Sequence, residues 1–211
     1  MKAHLLILTF PLILNTAFAN TTFTNWGNQG GEIKATTLIE HLSTNSEDKS
    51  LTDRQLTVFS SRIEMSKSNK QQLYFELDKS VSSVDWSMPY ESKVIAFYNT
   101  LKGVDACDIK AFDRDKDRDG SISFSRSTIW KINHKNIRMT EWCARMPKLT
   151  SGRGYWILIA TPKTDKGESF VINAFKKGKS HIPLKLSNGM SVNSSAIGFT
   201  KEWNNFGGNA L

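Results

Sequence analysis

The stretch SGRGYWILIA at residues 151–160 decides the fold class. Tyr155 to Ala160 form an unbroken apolar run, which suits a strand in the middle of a sheet. Gly152 and Gly154 permit a tight turn just before it. Several short segments of similar character surround this run. The sequence therefore predicts a mainly β protein, folded as an antiparallel sandwich or barrel-like domain.

Two segments on the N-terminal side of this run predict a β hairpin. They read LTVFSSRI at 56–63 and QLYFEL at 72–77, with a polar turn between them. In the second segment, leucine and phenylalanine alternate with Tyr74 and Glu76, which is the period-two pattern of a half-buried strand. KVIAFYNTL at 93–101 is apolar on both faces, and its β-branched and aromatic residues favour a strand over a short helix.

Three segments on the C-terminal side are also predicted to be strands, at 169–175, 181–186 and 195–199. Each is short and apolar and is bounded by glycine, asparagine or lysine. With 39% hydrophobic residues in 211, the chain can bury a core and is too apolar for general disorder.

Residues 1–19 have the features of a signal peptide. Lys2 supplies a positive charge, an apolar run extends from Leu5 to Leu14, and Ala17-Phe18-Ala19 is a small-x-small cleavage site. The apolar run is shorter than the roughly 20 residues that span a bilayer. We therefore expect cleavage after Ala19, no transmembrane span in the mature chain, and a secreted or periplasmic protein.

The mature chain is predicted to have two parts. Residues 20–50 are expected to form an N-terminal arm, with a short helix over EIKATTLIEHL at 32–42 and a surface loop at 43–50. The Thr36-Thr37 pair weakens the helix prediction. Residues 51–211 are expected to form a single β-rich domain.

Cys107 and Cys143 are the only cysteines of the chain, and we predict that they form a disulfide bond. In an oxidising compartment two cysteines most often pair. The bridge would close a loop of 36 residues, which chain-entropy arguments value at roughly 4 kcal/mol.

The loop between the cysteines contains alternating aspartates followed by a glycine. It reads Asp115-Lys116-Asp117-Arg118-Asp119-Gly120-Ser121-Ile122, and Asp113 precedes it. Alternate side chains of a turning loop can face inward, and carboxylate oxygens are the ligands that calcium prefers. The alternative is a solvated loop in which the interleaved basic residues neutralise the aspartates.

This segment resembles the DxDxDG calcium loops of EF-hands and dockerins. The resemblance implies Asp115, Asp117 and Asp119 as side-chain ligands and Ser121 as a backbone ligand of a structural Ca²⁺. It covers about a dozen residues, and Arg126 replaces the bidentate acid at position twelve. Ligands from outside the motif would then complete the shell, and the candidates are Asp113, Asp108 and Glu141.

Six tryptophans are the other notable feature of the composition. Trp130 and Trp156 are expected to fill the core. Trp26, Trp86 and Trp203 have polar neighbours, so they are candidate ligand-binding residues as well as candidate core residues.

The sequence shows no catalytic motif. His41, His134 and His181 lie far apart, and acid pairs such as Glu76 and Asp78 are more readily explained as surface charges. The disulfide removes both cysteines from candidacy as nucleophiles. We therefore leave the catalytic residues unassigned, and the sequence leans away from an enzyme.

Three functions are consistent with these features. The first is an exported, calcium-stabilised binding or adhesion module for a surface glycan or an envelope protein. The second is an accessory component of an envelope or secretion assembly, and the third is a secreted hydrolase or toxin. The net charge of +8 favours acidic partners, but the basic residues are too scattered to favour nucleic acid.

Overall fold

The computed structural model of the chain describes residues 18–44, 51–66, 68–85, 89, 102–116, 122–146 and 154–206. These residues are mainly β, with two α-helices and one turn of 3-10 helix at Ile109–Ala111. The helices are α1 (Asp165–Lys177) and α2 (Phe199–Asn205). The strands are β1 (Phe18–Phe23), β2 (Gly27–Gln29), β3 (Glu32–Thr44), β4 (Leu51–Met65), β5 (Gln71–Asp85), β6 (Lys102–Val104), β7 (Asp113–Lys116), β8 (Ile122–Ile132), β9 (Lys135–Met146), β10 (Tyr155–Pro162), β11 (His181–Lys185) and β12 (Ser191–Ser195).

The strands pair in one antiparallel sheet. Their order is β1-β3-β4-β5-β10-β9-β8-β11-β12. Three short strands lie outside this order: β2 pairs with β3, β6 with β5, and β7 with β8. β4 and β5 pair along their whole lengths, from Leu51 opposite Asp85 to Met65 opposite Gln71. The predicted hairpin over 56–63 and 72–77 is confirmed.

The two ends of the sheet approach each other, so that it is nearly closed. The Thr37 hydroxyl of β3 donates to the Asn193 carbonyl oxygen of β12 over 2.6 Å. Next to this contact, the hydroxyl oxygens of Ser61 in β4 and Ser194 in β12 lie 2.7 Å apart in the interior. The predicted antiparallel, barrel-like fold is therefore confirmed.

The core lies inside the curled sheet and is closed by the two helices. The sheet contributes three aromatic side chains to the core, Phe59, Phe75 and Trp130. The helices contribute two more, Phe175 from α1 and Phe199 from α2. None of these five side chains is more than 1% exposed. The rings of Phe75 and Trp130 have centroids 5.7 Å apart, and those of Phe175 and Phe199 are 5.1 Å apart. Burying each ring contributes about 1.5–3 kcal/mol.

The predicted central strand is confirmed as β10. It lies between β5 and β9, with Leu158 opposite Leu77 and Ala160 opposite Phe75 on the inner face. The predicted strand at 181–186 is confirmed as β11. The signal peptide up to residue 17, the strand at 93–101 and residues 45–50 of the predicted loop fall outside the described residues. The loop prediction is wrong for Ser43 and Thr44, which belong to β3.

The helix predicted over 32–42 is wrong, because these residues belong to β3. Ile33, Thr36, Thr37 and Ile39 are β-branched, and they lose less side-chain freedom in a strand than in a helix. β3 pairs with β4 from Ile33 opposite Ile63 onwards. The boundary predicted between residues 50 and 51 therefore does not divide the sheet. β1 begins at Phe18, two residues before the expected mature N-terminus.

The strand predicted at 169–175 is also wrong, because the segment lies in α1. The Thr164 hydroxyl caps this helix by accepting from the Gly167 N–H at 3.1 Å. Val171 and Phe175 are buried, and their spacing of four residues is that of a helix face. At 195–199 only Ser195 is in a strand, since Gly198 turns the chain with φ 87° and α2 follows.

The predicted disulfide is present. Cys107 and Cys143 have Cα atoms 6.0 Å apart, and Cys143 lies in β9 with 3% of its surface exposed. The segment that carries Cys107 is also held to β10, because the Ala106 N–H donates to the Trp156 carbonyl oxygen over 2.7 Å. The Trp156 N–H in turn donates to Asp105 Oδ1 over 2.9 Å.

Candidate binding groove

The aspartate-rich segment begins in β7, which forms a β hairpin with β8. β7 pairs with β8, and the last described pair is Lys116 opposite Ile122. Asp113 and Asp115 occupy alternate positions of β7, opposite Ser125 and Ser123. Three predicted calcium ligands lie at residues outside the described ranges, and these are Asp117, Asp119 and Ser121.

The candidate calcium ligands Asp113 and Asp108 have different surroundings. Asp113 is exposed, which keeps it available to an ion at the hairpin. The carboxylate of Asp108 accepts from the Lys110 N–H at 3.0 Å, where it caps the 3-10 helix. No group of three His, Cys, Asp or Glu side chains that could hold a metal forms within the described ranges.

Arg126, at position twelve of the calcium-loop motif, is part of a buried polar network. Its Nε donates to Glu141 Oε2 over 2.7 Å, and Glu141 is completely buried. Glu141 Oε1 accepts from Trp130 Nε1 and from the Ser187 hydroxyl, both at 2.5 Å. The Arg126 guanidinium also lies 4.3 Å from the centroid of the Phe112 ring.

This network excludes Glu141 as a ligand of an ion at the hairpin. Its carboxylate already accepts three hydrogen bonds, one of them from a charged donor, and it has no exposed surface. The cation at position twelve is explained by its ion pair with the buried Glu141, which lies directly opposite on β9.

The candidate tryptophans lie in different surroundings. Trp26 is 6% exposed, its Nε1 donates to the Ser195 carbonyl oxygen over 2.7 Å, and its ring packs edge-on against Phe199. The interpretation of Trp26 as a surface ligand-binding residue is therefore wrong, and it is a core residue. Trp203 is half-buried beside Phe199, with ring centroids 5.4 Å apart, and Trp86 lies outside the described residues. Trp130 is in the core as predicted, and Trp156 is half-buried.

A groove on the outer face of the sheet brings together other aromatic residues. It crosses β4, β5, β10 and β9 and has a volume of about 800 Å³. We call it the outer groove and define it by the lining residues Arg62, Glu64, Met65, Gln72, Tyr74, Thr140, Trp142, Ile159 and Lys163.

The outer groove combines an apolar floor with a polar rim. Trp142, Tyr74 and Ile159 are half-buried, and Met65 is 45% exposed. Trp142 and Ile159 are directly opposite each other on β9 and β10. Exposed aromatic and apolar groups that stay out of the core are typical of ligand sites.

An ion-pair network fixes Arg62 beside Tyr74. Arg62 Nη1 lies 2.7 Å from Glu64 Oε1, and Nη2 lies 3.6 Å from Glu76 Oε2. The guanidinium carbon is 6.0 Å from the centroid of the Tyr74 ring. The buried Nε of Arg62 has no hydrogen-bond partner within the described part of the chain, so one donor at the groove is unused.

The protonation states of the outer face follow from burial. Burial, with a smaller contribution from the Glu64 carboxylate, raises the pKa of Tyr74. The phenol is therefore protonated at neutral pH, and it donates to Gln72 Oε1 over 2.8 Å. Burial likewise raises the pKa of the Glu76 carboxyl, which Arg62 partly offsets.

Asp78 lies two residues after Glu76, on the same face of β5. Burial raises the pKa of its carboxyl, and it accepts from the Tyr155 hydroxyl at 3.2 Å. Burial and the neighbouring Asp78 charge raise the pKa of Tyr155 to about 12. Since Glu76 and Asp78 both have protein partners, we assign neither a catalytic role.

The three histidines noted in the sequence lie in separate elements. His41 is in β3, His134 is in the turn between β8 and β9, and His181 begins β11. The His181 ring lies 4.2 Å from that of Phe23. None of the three lines the outer groove.

The chain matches no protein-family model, no curated protein and no solved structure. Neither described helix is long and apolar enough to cross a membrane. The outer groove is therefore the feature from which we infer a function.

Proposed function

We propose that the protein is an exported binding module that recognises a surface glycan through the outer groove. The observation that carries the proposal is the pairing of Trp142 and Tyr74 with hydrogen-bonding side chains in one open groove. Sugar rings present C–H faces that pack on aromatic rings, and their hydroxyl groups form hydrogen bonds with polar side chains. Arg62, Gln72 and Thr140 supply such groups around the two rings.

Two observations support export. The disulfide between Cys107 and Cys143 is typical of proteins that fold in an oxidising compartment. The N-terminal sequence has the pattern of a signal peptide. A secreted or periplasmic location would also give the groove access to surface polysaccharide.

We expect Trp142→Ala to weaken glycan binding at least tenfold, because loss of an aromatic platform typically costs more than 1.4 kcal/mol. The wild-type protein would be applied to a glycan array, and the best oligosaccharide would then be titrated by calorimetry. Trp142 is half-buried on the outer face, so the variant should fold.

The matched control is Ile129→Ala, since Ile129 is 51% exposed on β8 and does not line the groove. Equal affinity of Trp142→Ala and wild type would contradict the proposal. If the array retained nothing and Trp142→Ala abolished capture of an envelope protein, the second function, an accessory component of an envelope assembly, would replace it.

We further propose that the β7–β8 hairpin holds one structural Ca²⁺. Asp115, Asp117, Asp119 and Ser121 would supply its ligands, and Asp113, which alternates with Asp115 in β7, would complete the set. Oxygen donors of this kind fit calcium. The ion would tie the two strands of the hairpin together.

Calcium at a hundredfold excess over its dissociation constant is expected to stabilise the mature protein by about 2.7 kcal/mol. Calcium should not stabilise the Asp117→Ala variant, because the substitution removes a central ligand. The melting temperature would be followed by calorimetry with and without calcium, with magnesium as the control ion. An identical melting temperature for wild type with and without calcium would refute the site.

A further inference from the structure

A second pocket lies on the outer face of β8, β11 and β12, and we propose that it binds a tetrahedral oxyanion, phosphate or sulfate. Its volume is about 230 Å³. Five polar residues line it and carry the argument: Lys131, His134, Lys185, Ser191 and Asn193. We call it the basic pocket.

The register of the sheet places two lysines directly opposite each other. Lys185 of β11 pairs with Lys131 of β8 on one side and with Ser191 of β12 on the other. Adjacent strands are separated by about 4.8 Å, so both ammonium groups can reach one bound anion. Like charges in such a pair are unfavourable without a counter-ion.

The three strands that line the pocket, β8, β11 and β12, provide no acidic counter-ion. β8, β9, β11 and β12 contain a single acidic residue, Glu141, which is buried and paired with Arg126. Asp113 is opposite Ser125, six residues from Lys131 along β8, which is on the order of 20 Å. Within the described ranges neither Lys131 nor Lys185 forms an ion pair, so an external anion is the counter-charge that the pair lacks.

The turn at the edge of the pocket has a strained backbone, and it places His134 against the pocket. Asn133 and His134 have φ values of 44° and 66°, the left-handed conformation that two-residue hairpin turns require. Glycine is the favoured second residue of such turns, and a histidine there costs conformational energy. The Asn133 N–H donates to the Pro183 carbonyl oxygen over 2.9 Å, which holds the turn against β11.

The donors of the pocket come from three sides. Lys131 and Lys185 provide charge, Ser191 and Asn193 provide neutral donors from β12, and His134 closes the side toward the turn. A tetrahedral oxyanion presents several oxygens to such a set at once, whereas a carboxylate presents two.

The test is a titration of the folded, disulfide-bonded protein with sodium phosphate, sulfate and acetate at constant ionic strength. We expect saturable binding of phosphate and sulfate by calorimetry and a rise in melting temperature, with acetate weaker. Lys185→Thr should raise the dissociation constant for phosphate at least tenfold, because it removes a charged donor. Without phosphate, the same variant should melt no lower than wild type, because the like-charge pair is gone.

Two further variants distinguish anion binding at the basic pocket from a general effect of the net charge. His134→Gly should raise the melting temperature and weaken phosphate binding, a combination that a purely structural role would not give. Lys110→Thr loses the same charge from the exposed 3-10 helix and should bind as wild type does. Linear, unsaturable responses, or equal losses in Lys110→Thr and Lys185→Thr, would overturn the proposal, as would acetate binding as tightly as phosphate.

The source of the oxyanion is distinguished by two more ligands. Binding of phosphatidylglycerol vesicles that Lys185→Thr loses would assign it to a lipid headgroup, and binding of a sulfated oligosaccharide would assign it to a glycan. If inorganic phosphate and sulfate bind but neither larger ligand does, the pocket takes the free ion. Trp142→Ala should leave phosphate binding unchanged, so this proposal and the proposed glycan function can fail separately.

Discussion

Arg126→Met is expected to lower the free energy of unfolding by about 3–5 kcal/mol, since it leaves the buried Glu141 carboxylate without its cation. The neutral donors of Trp130 and Ser187 remain, but they do not balance a full charge in the interior. Urea unfolding at neutral pH, followed by tryptophan fluorescence, would measure the loss.

A second substitution isolates the charge. Arg126→Met combined with Glu141→Gln should be more stable than Arg126→Met alone, because the glutamine oxygen still accepts from Trp130 and Ser187 without carrying a charge. If the double variant were no more stable, the loss would come from packing on Phe112 and the electrostatic account would be wrong. The control, Arg138→Met on the outer face of β9, should change stability by about 0.5 kcal/mol or less.

Removing the disulfide with Cys107→Ser and Cys143→Ala is expected to cost about 2–5 kcal/mol. The bridge spans 36 residues and joins the segment before the 3-10 helix to a central strand. Alanine is chosen at Cys143 because the position is buried and a hydroxyl would need a partner.

The disulfide prediction is tested by comparing urea midpoints of the oxidised protein, the reduced protein and the double variant. The reduced protein and the variant should agree with each other and lie below the oxidised protein. A variant as stable as the oxidised wild type would show that the hydrogen bonds around Ala106 and Trp156 already hold this segment in place.

The fold class could be predicted because it depends on local alternation. The pattern of Leu73, Phe75 and Leu77 identifies the inner face of β5, and the apolar run from Tyr155 identifies a central strand. The disulfide could be predicted because the chain has only two cysteines and its N-terminal residues have the pattern of an export signal.

The local sequence pattern predicted the wrong type of element in two segments, where tertiary contacts decide the structure. Residues 32–42 have a spacing compatible with a helix, yet pairing with β4 makes them a strand. Residues 169–175 are rich in strand-forming residues, but the cap at Thr164 and the buried positions at Val171 and Phe175 make a helix more favourable.

Neither the outer groove nor the basic pocket could be located from the sequence, because both depend on strand order. Alternation along β5 predicts that Tyr74 faces away from the core, but Trp142, which lines the same groove, belongs to β9, and β10 lies between their strands. Lys131 and Lys185 meet only because β11 returns to pair with β8. Arg126 and Glu141 were each noted, but the register that opposes them depends on the turn at 133–134.

The contacts of Trp26 connect the segment between β1 and β2 to the last strand of the sheet. Its backbone N–H donates to the Ile197 carbonyl oxygen at 3.0 Å, and its indole donates to Ser195. During synthesis this tryptophan emerges early, but its partner Ser195 follows 169 residues later. The barrel can therefore close only after Ser195 has been synthesised, and closure of so long a loop is expected to be a slow step in folding.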